Sequence, residues 1–214
     1  MRMIKTTVVV AALLTVTGCA TMDEASNSLS CMLARATGKA CGGQEAAMAS
    51  TGQGGRFEQL QTVFEQEIQT AREAQARAVA ATQPLGPKQR AVAGEVAVIH
   101  VDITDSRSQQ KRNMRTLDAM TLDMPLGGKG KDGYTQAMDE IKDLANTLAD
   151  NRGSASILVQ QNPADVKAKR VNTASGNTKS PAGQPITVEK QTTTNVPAGV
   201  ERYTVKAGAI RGSL

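Results

Sequence analysis

Apolar and polar residues alternate with a helical period over residues 56 to 83. The apolar positions recur at steps of three and four, with Gln, Glu and Arg between them, and begin with Phe57, Leu60, Phe64 and Ile68. This spacing predicts one long amphipathic helix, in which Glu67 competes with Ile68 for the stripe by strict count. Either the helix packs on its own domain, or it forms a coiled coil with a partner or a second copy. In the second case the four residues are the partner-binding set.

Residues 91 to 214 predict a small α+β domain. Residues 91 to 103 are almost continuously apolar and β-branched, as in a strand that is buried on both faces. The next segment predicts a helix that begins after Thr104 or Asp105, with a buried face at Met114, Leu117, Met120 and Met124. A second helix is expected from about Tyr134 to Asp150. Gly153 would end it, and a strand follows over 156 to 160. The order strand, helix, helix, strand places both helices on one face of a sheet.

Thr, Lys, Asn and Gly dominate the sequence after Pro163. Residues 166 to 171 are a weak strand candidate, and a mobile loop is expected near 172 to 185. Two further segments, 185 to 194 and 200 to 207, predict a C-terminal β-hairpin that turns at NVPAG. Its strands look half-exposed, so we expect them at the edge of the sheet or in an added layer.

The chain begins with Arg2, Lys5, an apolar run of about eleven residues and small residues before Cys19. Since such a run is too short to span a ~30 Å hydrocarbon core, residues 1 to 18 predict a secretory signal peptide. The sequence VTGC resembles the lipobox of bacterial lipoproteins. The resemblance implies that Cys19 is acylated, for example with palmitate, and starts the mature chain. Ala20, in place of a retaining Asp, implies the periplasmic side of the outer membrane.

Residues 19 to 55 predict a lipidated, flexible tether rich in small residues. Two more cysteines, Cys31 and Cys41, lie within it. Because exported thiols normally pair, we expect a disulfide between them. A metal pair or a redox pair is the alternative, but there is no further His or Cys nearby and the spacing is not CxxC.

Charge and composition favour some partners over others. Lys and Arg total 25 and Asp and Glu total 20. Loss of Arg2 and Lys5 with the signal peptide lowers the net charge from +5 to +3. So small a charge, spread evenly, does not favour nucleic acid. The membrane is the expected partner through the acyl chains. With two Phe, two Tyr and no Trp, a large enzyme core is not expected.

The sequence offers little for catalysis. A hydrolase reading would combine His100 with Asp102 and a serine, but no Gly-x-Ser-x-Gly turn is present. The segment GGKGKDG at 127 to 133 lacks the Lys followed by Ser or Thr of a phosphate loop, and we expect it to join two helices. We therefore predict a protein that is not an enzyme, with no cofactor and no metal. A periplasmic enzyme that depends on His100 is the less favoured alternative.

One stretch, DGYTQAMDEIKDLANTLADNRGSASILVQ, resembles the helix-then-strand half of OmpA-like peptidoglycan-binding domains. The family follows that strand with a Gly-His-Thr-Asp-type turn and a helix that supplies the Asp and Arg that hold the peptide stem. Here Asp165 and Arg170 stand at other places, so no binding residue carries over. The resemblance implies peptidoglycan as an alternative ligand.

The expected function is a structural or assembly role through protein contacts, such as a part in a secretion or conjugation machine of the envelope. Two surfaces are the expected contact sites. One is the stripe of the long helix, and the other is the strand over 200 to 207, which at a sheet edge could add to a partner's sheet.

Overall fold

The computed structural model describes residues 53 to 105 and 109 to 210. The predicted signal peptide, the lipidation of Cys19 and the Cys31 to Cys41 disulfide lie outside these residues and stay predictions.

Helix α1 runs from Gln53 to Thr82 and confirms the predicted long helix. It starts three residues before the predicted position. At its C-terminal end the Thr82 hydroxyl donates to the Val79 carbonyl oxygen and accepts from the Ala91 backbone N–H, at 2.9 and 2.8 Å. These bonds fasten the end of the helix to the start of the sheet.

Strands β1 (Val92–Thr104) and β2 (Lys111–Pro125) form a long antiparallel hairpin. The helix predicted after Asp105 is therefore wrong, because that segment is strand β2. Ala97 pairs with Ala119 whereas Val98 pairs with Leu117, so Asp118 is an extra residue in a bulge. The bulge shifts the phase of the pattern, and Leu117 and Met120 are both buried at a helix-like spacing of three. Away from the bulge the buried residues alternate as a strand requires: Met114 and Thr116 before it, and Met120, Leu122 and Met124 after it.

Helix α2 (Asp132–Arg152) and strand β3 (Ala155–Gln161) follow as predicted. Gly153 ends the helix with φ of 81°, a conformation that glycine adopts without strain. The weak strand candidate at 166 to 171 is wrong, since its first two residues end a short helix α3 (Pro163–Lys167) and no strand follows before residue 176. The Asn162 side chain caps α3 by accepting from the Ala164 N–H at 2.9 Å.

Strands β4 (Gly176–Lys179), β5 (Pro185–Thr192) and β6 (Val200–Ala207) complete a six-stranded sheet in the order β1-β2-β6-β3-β5-β4. This mixed sheet confirms the α+β class. The predicted hairpin is wrong, because β3 lies between β5 and β6 and pairs in parallel with β5. Strand β6 is central, so it has no edge to offer a partner. Strand β4 occupies part of the predicted mobile loop.

Both long helices contribute to one core. Side chains of α1 and α2 pack with β2, β3, β5 and β6, while a second cluster joins Phe57, Leu60, Phe64, Ile103 and Met114. At the junction of the helices, a Cβ on Gly133 would overlap the Ala81 carbonyl oxygen, so the start of α2 touches the end of α1 there. None of the helices in the described ranges is long and apolar enough to cross a membrane.

Candidate functional site

The apolar stripe of α1 is part of the chain's own core. Phe57, Leu60, Phe64 and Ile68 are 0 to 2% exposed. The first three pack against the β1–β2 hairpin, and Ile68 joins the main cluster. The predicted partner-binding set is thereby corrected: the helix packs on its own domain, and these side chains are not an accessible surface.

A buried ion pair fixes α1 to α2. Glu67, on the stripe beside Ile68, is bonded by the Arg152 guanidinium, whose Nε lies 3.1 and 3.0 Å from the two carboxylate oxygens. The Glu67 and Arg152 side chains are 1% and 4% exposed. Arg152 also donates to the Thr116 hydroxyl and stacks on the Phe64 ring at 5.1 Å. A buried charge pair of this kind holds the two helices and β2 in one arrangement.

The accessible apolar feature of the described chain is the outer edge of β1. Strand β1 is first in the sheet order, so its outer side pairs with no other strand of the described chain. The two exposed large hydrophobic side chains among the described residues, Val92 and Ile99, are 59% and 43% exposed and both lie on β1. An unpaired strand edge carries a row of N–H and C=O groups that can bond another extended chain.

At one end of β1 the pairing with β2 is interrupted. The Gln75 amide donates there to the carbonyl oxygens of Gly94 on β1 and Thr121 on β2, at 3.1 and 2.7 Å, and so bridges the two strands. The register shifts between Ala93 and Val96, where β1 has an extra residue, and again between Ala97 and Val98, where the extra residue belongs to β2, so β1 itself continues without an extra residue from Val96 to Thr104. Nine residues of strand edge are thus available for pairing.

A cluster of polar side chains lies at the end of the sheet where β3 and β5 end and β6 begins. The buried Glu201 carboxylate accepts from Gln161 Nε2 at 2.7 Å and from the Tyr203 hydroxyl at 3.1 Å. Lys129 is partly exposed, and its Nζ lies 2.8 Å from Glu201 Oε2, the oxygen that also accepts from Tyr203. We call Lys129, Gln161, Glu201 and Tyr203 the polar end.

The pKa values of side chains in and beside this cluster are shifted by burial and by hydrogen bonds. Burial by itself would raise the pKa of Glu201, but hydrogen bonds from Lys129, Gln161 and Tyr203 outweigh it and hold that pKa below its ordinary value. Burial lowers the pKa of Lys190, which lies nearby on β5. Burial also raises the pKa of Tyr134 to about 12. Glu201 is therefore an anion at neutral pH, and both tyrosines are neutral.

Among the described residues, the buried Gln161 Oε1 has no hydrogen-bond partner, and the buried Tyr134 hydroxyl interacts with Tyr203. Close by, the buried Asp165 carboxylate accepts from the Gly199 N–H at 2.7 Å, and Arg170 Nη1 lies 3.5 Å from it. The structure thus brings Asp165 and Arg170 together, although the sequence did not place them in a known motif. Charges of both signs meet at this end of the sheet.

The other candidate motifs take ordinary places. His100 lies exposed on β1, opposite Arg115. The GGKGKDG segment joins a strand, β2, to α2 and not two helices as predicted, and Lys131 Nζ donates to Gln89 Oε1 at 2.9 Å. In the ranges that the structure describes, no group of three or more His, Cys, Asp or Glu side chains is arranged to hold a metal ion.

Comparison of the chain with protein-family models, with curated proteins and with solved structures gives no match.

Proposed function

We propose that the protein is a lipoprotein held to the periplasmic face of the outer membrane by acyl chains on Cys19, with a structural or assembly role through protein contacts. The sequence VTGC after a basic and apolar leader supports the anchor. The stripe of α1 and strand β6 are both inside the fold, so the proposed contact surface is the β1 edge instead.

The observation that carries the proposed role is the nine-residue edge of β1. Strand addition at such an edge supplies main-chain hydrogen bonds, and the exposed Ile99 supplies an apolar contact. A role in a larger envelope machine is consistent with this mode of binding.

Fractionation of intact cells tests the anchor. We expect the wild-type chain to incorporate labelled palmitate and to co-fractionate with outer membranes. Cys19→Ser should lose the label and move to the soluble periplasmic fraction. Cys31→Ser is the matched control and should keep both label and location. Unchanged labelling of Cys19→Ser would overturn the anchor.

A peptidoglycan-binding tether is the second candidate, and the polar end favours it. Peptide stems carry carboxylates and amines, and this end presents Asp165 with Arg170 and Glu201 with Lys129. The α2–β3 unit also lies where the resemblance to OmpA-like domains implies a helix followed by a strand.

Sedimentation with purified peptidoglycan tests this candidate, using the chain from residue 20 onward. We expect Arg170→Ala to reduce the sedimented fraction if the wall is the ligand. Lys206→Ala, an exposed cation elsewhere in the sheet, is the control. Failure of the wild-type chain to sediment would remove this candidate and leave the first one standing.

A further inference from the structure

The β1 edge of the described chain carries few of the features that usually prevent strand pairing, and the bulge beside Ala97 and Val98 belongs to β2. Between Val96 and Thr104 it contains no Lys and no Pro, and the charged residue within it is Asp102, which accepts a hydrogen bond from Asn113 Nδ2 at 2.7 Å. Natural sheets normally protect a long edge with lysine, proline, bulges or a covering element. An unprotected edge of nine residues therefore fits a segment that is paired in the working protein.

The sequence of this edge is compatible with itself in an antiparallel arrangement. If two β1 strands pair about a twofold axis through Ile99, the exposed Ile99 side chains of the two copies face each other. Val101 then lies opposite Ala97, and His100 lies opposite Val98. Directly opposite residues in antiparallel strands have Cβ atoms about 4.5–5.5 Å apart, so the apolar side chains come into contact.

Charge also favours this register. Asp102 lies opposite Val96 and Glu95 lies opposite Ile103, so no two like charges are paired across the interface. A twofold axis through His100 would instead set two imidazoles face to face. Val101 and Ile103 already pack in the apolar cluster around Phe57, so two β1 strands that pair about Ile99 extend an existing apolar surface.

We propose that the partner of the β1 edge is a second copy of this chain, paired antiparallel through Val96 to Asp102 and centred on Ile99. Two six-stranded sheets then become one continuous sheet. The contact is isologous, so each copy supplies the same surface and the assembly closes at two. This inference rests on the proposed role through protein contacts, and anchoring in one leaflet would raise the local concentration of the two copies.

The mass of the full chain in mild detergent tests the proposal, measured over a range of protein concentrations. We expect a dimer for the wild type. Ile99→Lys sets two ammonium groups opposite each other and should weaken the dimer at least tenfold. Thr178→Lys, an equal change on the opposite edge strand β4, should leave the dimer intact. A monomeric wild type at all concentrations, or a dimer unaffected by Ile99→Lys, overturns the proposal.

Cysteine crosslinking is an independent test of the dimer, and it introduces no charge at residue 99. In cells expressing the full chain, Ile99→Cys should give a dimer whose crosslinked peptide joins residue 99 to residue 99. Thr178→Cys should give no such peptide. Crosslinks from residue 99 to a different protein would overturn the second copy as occupant while supporting the proposed function. Failure of the wild-type chain to incorporate labelled palmitate would overturn the anchor while leaving the dimer in detergent unchanged.

Discussion

The two outer strands of the sheet are built in opposite ways. Strand β1 has 13 residues and carries the exposed Val92 and Ile99, whereas β4 has four residues, all exposed, and ends with Lys179. Short length and a terminal lysine are common protections of a sheet edge. The fold thus protects one edge and leaves the other open, which is the pattern expected when one edge has a partner.

The supports of the sheet also differ along its width. Beside β1 lie the apolar cluster around Phe57 and the buried Glu67–Arg152 pair. The polar network around Glu201 lies at one end of the central strands β6 and β3 and is reached by a partly exposed lysine. The open edge therefore stands on a mainly apolar support, whereas the polar network belongs to the middle of the sheet.

Removing an apolar side chain of α1 from the core should have the largest effect on stability. Phe64→Ala deletes a side chain that is 1% exposed and that also lies under Arg152. We expect a loss of about 3–5 kcal/mol in the free energy of unfolding, from lost burial and the cavity left behind. Chemical denaturation measures it. A loss below about 1 kcal/mol would contradict the packing of α1 on its own domain.

Breaking the buried ion pair should come next. Glu67→Gln leaves the Arg152 guanidinium buried without its counter-charge, and we expect a loss of about 3 kcal/mol. The matched control is Asp123→Asn, which breaks the partly exposed pair with Arg202 at 2.7 and 2.9 Å. That change should cost less than about 1 kcal/mol. Equal losses in denaturation would show that the two pairs do not differ in burial as described.

The contribution of the polar end to stability should fall in acid. The pKa of Glu201 is lower in the folded chain than its ordinary value, so its carboxylate stabilises the fold above the unfolded pKa. That contribution should be lost as the pH falls below about 4.5 and passes through the lower folded value. Denaturation of the wild type and of Glu201→Gln at several pH values measures this, and the variant should lack this part of the acid dependence.

Changes at the two edges should have the smallest effect on stability. Ile99→Lys and Thr178→Lys both place a charge on an exposed position, and each should change the free energy of unfolding of the monomer by less than about 0.5 kcal/mol. Thermal unfolding at low protein concentration checks this. A much larger loss for Ile99→Lys would mean that its effect on the dimer reflects misfolding.

Much of the fold was readable from the sequence, and the errors have specific causes. Helices α1 and α2 and strands β1 and β3 follow from periodicity and from Gly153. The sequence of strand β2 has a helical pattern because the bulge at Asp118 gives Leu117 and Met120 a spacing of three, and methionine has no β-branch that would indicate a strand. Pairing of β5 with β3 joins segments that are distant in sequence, and no local pattern marks it.

The candidate sites were less predictable. Glu201 and Gln161 are 40 residues apart, so their contact depends on the order of the strands. One signal was available for the other cluster: by strict count Glu67 falls on the apolar stripe of α1. A charged residue at a buried position needs a buried partner, and Arg152 supplies it. The open edge of β1 could not be recognised without knowing which strands are outermost.

The direction of α1 has a mechanical consequence. A pull on the chain that arrives at Gln53 acts first on Phe57, Leu60 and Phe64, and reaches the Glu67–Arg152 pair about one turn later. When a helix is pulled away from its domain at one end, its contacts break one after another, so the contacts of these apolar residues break before the ion pair carries the force. The first half of α1 would therefore detach first, and the ion pair is the point at which detachment would stop.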